Sequence, residues 1–182
     1  MSSLQKMGLI VAVDATGGIA KDSTIPWALR KDMSRFYKKT TAVSDPSKRN
    51  VVLMGRKCWE SIPAKFRPLK NRLNVVVSRT MKESTSDDVL VRNDLEKAVE
   101  ELSEMVERGE IERIWNLGGC EIYSWGLRND LVNTIEITKI SNDFATDLQL
   151  PSIEWDNFRN VFTSEELEEN DIKFTFNTYE RQ

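Results

Sequence analysis

The chain contains no histidine and only two cysteines, Cys58 and Cys120. Imidazole bases, histidine-dependent triads and the usual zinc ligand sets are therefore excluded together. Proton transfer falls to carboxylates, tyrosine, lysine or a bound cofactor. The carboxylate in the most suggestive setting is Asp32, within Ile25-Pro26-Trp27-Ala28-Leu29-Arg30-Lys31-Asp32-Met33-Ser34-Arg35-Phe36. Helical spacing puts it beside Met33 and one turn before Phe36, so an acid shares a face with apolar and aromatic side chains. The same spacing puts Arg35 at i+3, and spacing alone favours a wet surface ion pair between Asp32 and Arg35.

Other residues have the chemistry of an anion site. Gly118-Gly119 lets backbone approach a ligand closely and opens a helix whose first N–H groups suit a diphosphate. Gly55-Arg56-Lys57-Cys58-Trp59 adds two cations at another helix start. Ser78-Arg79 follows an apolar run and Arg92 ends the next, a pattern that favours a 2′-phosphate. Each alone reads as an ordinary turn or surface charge, and the chain lacks the G-x-G-x-x-G and P-loop patterns. Together they point to a nucleotide site. A formal net charge of −3 gives no general attraction to nucleic acid, which is not an expected partner.

The elements that must position these groups follow from apolar periodicity. Strand-like runs recur at residues 7–13, 50–54, 72–77, 89–91, 113–117, 134–140, 159–163 and 172–179. Helices are expected over 94–108, with an apolar stripe that stops at Gly109, and over 29–40, 56–62 and 120–127. Continuous Val and Leu runs suit strands buried on both faces. The fold class is therefore α/β: an open, mostly parallel central sheet of about eight strands flanked by helices, closed by an antiparallel C-terminal hairpin. Its acidic stretch 165–171 reads as a solvated tip. The 182 residues suit a single domain over 1–182. Hydrophobic residues at 40%, no long apolar run and no leader-like N-terminus make a cytoplasmic monomer the expectation.

Taken in order, Ile10-Val11-Ala12-Val13, Gly18-Ile19, Ile25-Pro26-Trp27, Asp32, Phe36, Met54-Gly55-Arg56-Lys57, Trp59, Ser61-Ile62-Pro63, Arg67-Pro68-Leu69, Arg72, Ser78-Arg79, Gly118-Gly119, Tyr123 and Thr138 resemble the dihydrofolate reductase family. The match runs from the first strand to the C-terminal hairpin, and it reverses the ranking for Asp32. The resemblance implies NADPH-dependent reduction of dihydrofolate to tetrahydrofolate, in support of one-carbon metabolism. It gives Asp32, with Trp27, Ile25 and Thr138, the catalytic role: the carboxylate grips the pterin's 2-amino group and ring nitrogen and promotes protonation through water. It places Ile10, Val11, Ala12, Met33 and Phe36 around the substrate rings, with Ser61, Ile62, Phe66, Leu69, Leu117 and Tyr123. Arg72 takes the substrate's carboxylate tail, for which a planar fork is the right chemistry. Antifolate inhibitors are implied as ligands of the same pocket, and no metal is.

For the cofactor, the resemblance implies Ala12, Gly18, Ile19, Ser23 and Trp27 at the nicotinamide, with residues 18–27 as a closing loop. Gly55, Arg56, Lys57 and Cys58, then Ser78, Arg79 and Arg92, fall at the phosphates, and Leu117, Gly118, Gly119, Cys120, Glu121, Ile122 and Tyr123 line the remainder. Several positions depart from the family pattern. Ser23 stands where Gly is common, and Ser tolerates positive φ much less well. Cys58 replaces Thr, leaving a weaker donor at the phosphate, and a thiol at a helix N-terminus can be reactive. Asn116 stands at a strand position that is normally apolar, and its buried amide needs partners. Glu121 places an acid beside the diphosphate seat. Two alternatives stand beside the resemblance: a pyrimidine reductase of riboflavin synthesis, which shares the fold but lacks the Pro26-Trp27 and Asp32 pairing, and a non-catalytic NADPH or folate binder in which the departures at Ser23, Asn116 and Glu121 have abolished turnover.

Overall fold

The computed structural model describes residues 3–182. Met1 and Ser2, the first residues of the expected domain, lie outside the described residues. In chain order the elements are β1 (Met7–Val13), β2 (Gly18–Ala20), α1 (Arg30–Thr41), β3 (Arg49–Gly55), α2 (Arg56–Ser61), β4 (Arg72–Val77), β5 (Ser84–Thr85) and β6 (Val89–Arg92). There follow α3 (Leu95–Glu107), β7 (Ile111–Asn116), α4 (Cys120–Arg128), β8 (Val132–Ile140), β9 (Leu148–Gln149), β10 (Phe158–Thr163), β11 (Leu167–Glu169) and β12 (Ile172–Arg181).

Among the described residues, ten strands form one sheet in the order β10-β12-β8-β1-β7-β3-β4-β6-β5, with β11 paired to β12. The pairs from β8 across to β6 are parallel, while β12 runs antiparallel to β8 and β10, and β5 to β6. All eight strands expected from periodicity lie in this sheet. The two additional members, β5 and β11, and the separate β2–β9 pair are too short for periodicity to mark. Val51, Val52, Leu53 and Met54 are all fully buried, as a strand covered on both faces requires. Helix α3 starts where the Asp94 carboxylate accepts the Lys97 N–H at 2.9 Å, and ends before Gly109, whose φ is +74°.

The two faces of the sheet differ in chemistry. One carries the main core of Met7, Leu9, Val51, Leu53, Val75 and Ile135, packed against α3 residues such as Val99 and Leu102. The face under α1 carries buried polar groups: Asn50, Arg72, Asn74, Glu136 and Thr138. Strand alternation sets this division, because Ile10 pairs with Glu136 and Ala12 with Thr138 along β1 and β8.

The acidic stretch 165–171 is more than a solvated tip. Only Asn170 and Asp171, both at positive φ, make the turn, while β11 pairs with β12. The Glu169 carboxylate reaches back to accept the backbone N–H groups of Arg30 (2.6 Å) and Lys31 (3.0 Å). Helix α1 begins at Leu29 without a side-chain cap of its own, so the hairpin supplies one from 139 residues away. Composition marks the stretch as charged, but no local signal reveals a cap borrowed over that distance.

Candidate active site

Asp32 sits in the first turn of α1, half-buried over β8. Its Oδ1 accepts the Thr138 hydroxyl at 2.6 Å, and among the described residues this is its one hydrogen bond. The surface pair with Arg35 expected from spacing does not form. Arg35 turns instead to Glu136, with Nη2 3.0 Å from Oε2, while its guanidinium lies over the Phe176 ring at 4.6 Å. Desolvation raises the Asp32 pKa above the usual carboxylate value; the Thr138 hydroxyl and Arg35 oppose it and Glu169 adds to it. The sequence offered no sign of Glu136, since its strand reads as apolar and an isolated acid within it has no local partner.

Aromatic and apolar groups surround this carboxylate. Ala12 and Phe176 flank Thr138 in the strand register, and both pack on the cluster of Trp27, Leu29, Ile140 and Phe174. Ile10, Ile62, Leu69 and Leu117 pack on a second cluster around Val52, Met54 and Trp115. Ile25, Met33 and Phe66 are exposed apolar side chains, the state expected at the mouth of an apolar cleft. Val11 must be corrected. Its side chain points to the opposite face, onto the main core, so only its backbone can face the site.

Arg72 is buried on β4. Its Nε donates to the Lys70 carbonyl (2.8 Å) and its Nη1 to the Thr40 hydroxyl (3.0 Å), with Phe36 and Tyr37 rings beside it. Nη2 has no hydrogen-bond partner among the described residues. A fixed guanidinium with unspent donors is the arrangement a carboxylate ligand needs.

The glycine turns meet side by side. Gly55 N–H donates to Gly118 O (2.8 Å), and Leu117 N–H to Leu53 O (2.9 Å), which sets the start of α4 against that of α2. Neither helix has a side-chain cap. Gly118 has φ +90° and a cis bond to Gly119; a Cβ there would come within 2.5 Å of the Tyr123 ring, whose hydroxyl donates to Ile10 O (2.9 Å). A Cβ on Gly119 would meet nothing within 4 Å, so the turn opens onto space in front of uncapped N–H groups. Asn116, buried without exposure, is fully used: its Oδ1 accepts Gly118 N–H (2.9 Å) and its Nδ2 donates to Ile122 O (3.0 Å). The polar residue that looked out of place holds the turn and the helix together.

The expected phosphate ligands divide. Lys57 is exposed at the α2 start, and Arg56 pairs with Glu60 on its own helix. Arg79 is exposed and 3.7 Å from Glu121, so the acid of α4 reaches sideways to the cation instead of standing alone before the helix. Ser78 directs its hydroxyl to the Thr80 and Met81 N–H groups. Arg92 has no donor left for a phosphate: its five N–H groups go to both oxygens of Glu101 and to Ser84 O, Val91 O and Thr85 Oγ1. Cys58 is also reassigned. The residue is half-buried, its Sγ donates to Leu117 O at 3.7 Å, and burial pushes the thiol up to about 11, away from the thiolate that reactivity requires. Cys120 donates to Gln149 O (3.2 Å) and Ser61 to Cys58 O (2.6 Å).

The loop from Gly18 to Trp27 is anchored at its base by Asp14, a residue that sequence reading passed over. Its carboxylate accepts the Thr16 N–H and hydroxyl, the Gly18 and Phe144 N–H groups, and the Thr146 hydroxyl, at 2.7 to 3.1 Å. Ser23 occupies the left-handed region (φ +64°) beside Asp22 (φ +49°), in a tight turn closed by paired Lys21 and Thr24 backbone bonds. Trp27 stacks at a tilt on Phe144, with centroids 5.4 Å apart.

A half-buried carboxylate over β8, a guanidinium at the start of β4 and two uncapped helix starts at the carboxyl ends of β3 and β7 make up the candidate site of an α/β enzyme. The model of the family described as dihydrofolate reductase matches residues 6–181. A Caenorhabditis elegans protein named for dihydrofolate reductase is 49% identical over 180 residues, covering 95% of each chain. The dihydrofolate reductase of Drosophila melanogaster is 36% identical over 182 residues, covering 97% of this chain and 98% of its own. A bifunctional dihydrofolate reductase-thymidylate synthase of Daucus carota is 37% identical over 175 residues, 95% of this chain but 33% of that protein. The chain belongs to the dihydrofolate reductase family.

Proposed function

We propose that the chain reduces 7,8-dihydrofolate to 5,6,7,8-tetrahydrofolate, with NADPH as the reductant. The observation that carries the reading is the Asp32–Thr138 pair, a carboxylate raised in pKa and fixed at one oxygen within apolar and aromatic surroundings. Thr138 occupies Oδ1 and leaves Oδ2 for the ligand. Two parallel N–H donors from a 2-amino group and its ring neighbour match a carboxylate and offset its desolvation. A ring so held has its nitrogen positioned to receive a proton through water from the side of Asp32. Phe36 supplies a stacking face, and Arg72 takes the tail carboxylate. Antifolates that carry the same donor pair belong in the same place.

The open space at Gly119 and the uncapped starts of α2 and α4 fit a diphosphate, and the exposed Arg79, once it leaves Glu121, suits a 2′-phosphate. NADPH, when bound, supplies the hydride. The chain's own part is to align the two rings and exclude competing water. The reading extends to a single domain acting as a monomer in the cytosol. Two free thiols, Cys58 and Cys120, suit a reducing compartment, and no helix among the described residues is long and apolar enough to cross a membrane.

The test is turnover by purified protein with dihydrofolate and either NADPH or NADH. Oxidation of NADPH that depends on dihydrofolate is expected, with NADH far poorer. Oxidation only with a riboflavin-pathway pyrimidine, or cofactor binding without turnover, would overturn the reading.

A further inference from the structure

Asp32 and Arg35 stand one helical turn apart with the acid on the N-terminal side, a spacing at which such pairs ordinarily meet. In the structure they do not, and the reason lies on another strand. Glu136, 5% exposed in the middle of β8, takes the Arg35 guanidinium at 3.0 Å. Thr178 on β12 donates to the same Glu136 oxygen at 2.7 Å, and Lys39 lies 3.4 Å from the other. The Phe176 ring underlies Arg35 at 4.6 Å.

We propose that Glu136 is a positioning residue for the catalytic carboxylate: by holding Arg35 against β8 and β12, it keeps the guanidinium from capturing Asp32. The inference rests on the role assigned to Asp32 above. Every charged group that faces Asp32 is accounted for: Arg35 from its own helix and Glu169 from the C-terminal hairpin. From β8 come the uncharged Thr138 and, behind Arg35, Glu136; β12 contributes Phe176 and Thr178. Glu136 is therefore the only acid placed to compete with Asp32 for Arg35 among the described residues. With Glu136 neutralised, Arg35 loses its salt-bridge partner, and Asp32, one turn away on the same helix, already feels its charge. Their pairing would occupy the oxygen meant for the pterin and hold the acid in its ionised form.

The experiment compares Glu136→Gln, Arg35→Met and the double variant with the intact chain. It uses carboxyl carbon NMR of Asp32 across pH and the pH profile of kcat/KM with dihydrofolate and NADPH. Glu136→Gln should lower the Asp32 midpoint by about one pH unit and kcat/KM at neutral pH about tenfold. The double variant should restore both, which loss of a merely structural contact would not do. Arg35→Met alone should move the midpoint by only a few tenths. The proposal fails if folded Glu136→Gln leaves the midpoint in place, or if the double variant gives no restoration. Should Glu136→Gln not fold, a rise of a full unit in Arg35→Met overturns it, since Arg35 would then already pair with Asp32. A midpoint that shifts while turnover stays constant upholds the positioning role and instead sinks the part assigned to Asp32 in catalysis.

Discussion

An acid held half out of water with one hydroxyl as its partner is a group whose ionisation works against the fold. Its folded pKa is raised by desolvation, so once pH passes the unfolded value the unfolded chain releases the proton first, and stability falls through that window. Each unit of separation is worth about 1.4 kcal/mol. Asp32→Asn is therefore expected to raise Tm at neutral pH, with the gain vanishing in acid below the ordinary carboxylate range, while neutral turnover drops about 10²–10⁴-fold. Calorimetry and kinetics on one preparation check both halves; a lower Tm at neutral pH would show that the ionised form is well satisfied. Arg72 is tested by its geometry. Arg72→Lys should raise KM for dihydrofolate about 10- to 100-fold with kcat held, because a point charge replaces a fork. A substrate without the glutamate tail should not notice the change. At the cofactor end, the Arg79–Glu121 contact of 3.7 Å is an exposed pair that a 2′-phosphate would have to replace. Glu121→Gln should tighten NADPH several-fold and leave NADH unchanged, as read by titration of each.

The loops at the head of β1 depend on one side chain. Burial pushes the Asp14 carboxyl up, but the Thr16 hydroxyl and the N–H groups of Phe144, Gly18 and Thr16 outweigh it and hold the group at about 2. A folded pKa below the unfolded one stabilises the protein above roughly pH 4. That stabilisation is lost as pH falls toward 2. Asp14→Asn should remove this part of the acid sensitivity and speed amide exchange at Gly18 and Phe144 together; faster exchange at one alone would refute a shared anchor. What the sequence discloses here divides by range. Near-continuous runs such as residues 51–54 announce buried parallel strands, and Asp94 and Gly109 mark the two ends of α3 through local capping chemistry. Glu136 and Glu169 were illegible because each acts on charge or backbone over 100 residues distant, and Asp14 because its local bonds to Thr16 and Gly18 do not announce its reach to Phe144 and Thr146. For Arg92 and Cys58 the converse holds: position at a strand or helix end was legible, but the Glu101 and Leu117 partners that take their donors were not. Asn116 looked like a defect until its two partners were known.

The two ends of the chain converge on the same helix. Asp32 is positioned by Thr138, 106 residues on, and the first turn of α1 is capped by Glu169, 139 residues beyond Arg30. The hairpin that supplies the cap is held by β12, which lies between β8 and β10 and pairs with β8 from Phe174 to Glu180. Such non-local pairing needs most of the chain, so the helix that carries the carboxylate is capped only when the C-terminal hairpin docks. Glu169 also adds to the raised pKa of Asp32 through its charge, while its own pKa is lowered by the Arg30 and Lys31 N–H groups it accepts. The cap and the acid are thus coupled. Glu169→Ala should accelerate amide exchange several-fold at Arg30 and Lys31 and in the turn that follows, and should move the Asp32 midpoint down, because a like charge is removed. Exchange mass spectrometry and carboxyl NMR measure these separately. If both changes stay confined to residues 165–171, then α1 stands without the hairpin, and the C-terminal strands serve only to close the sheet.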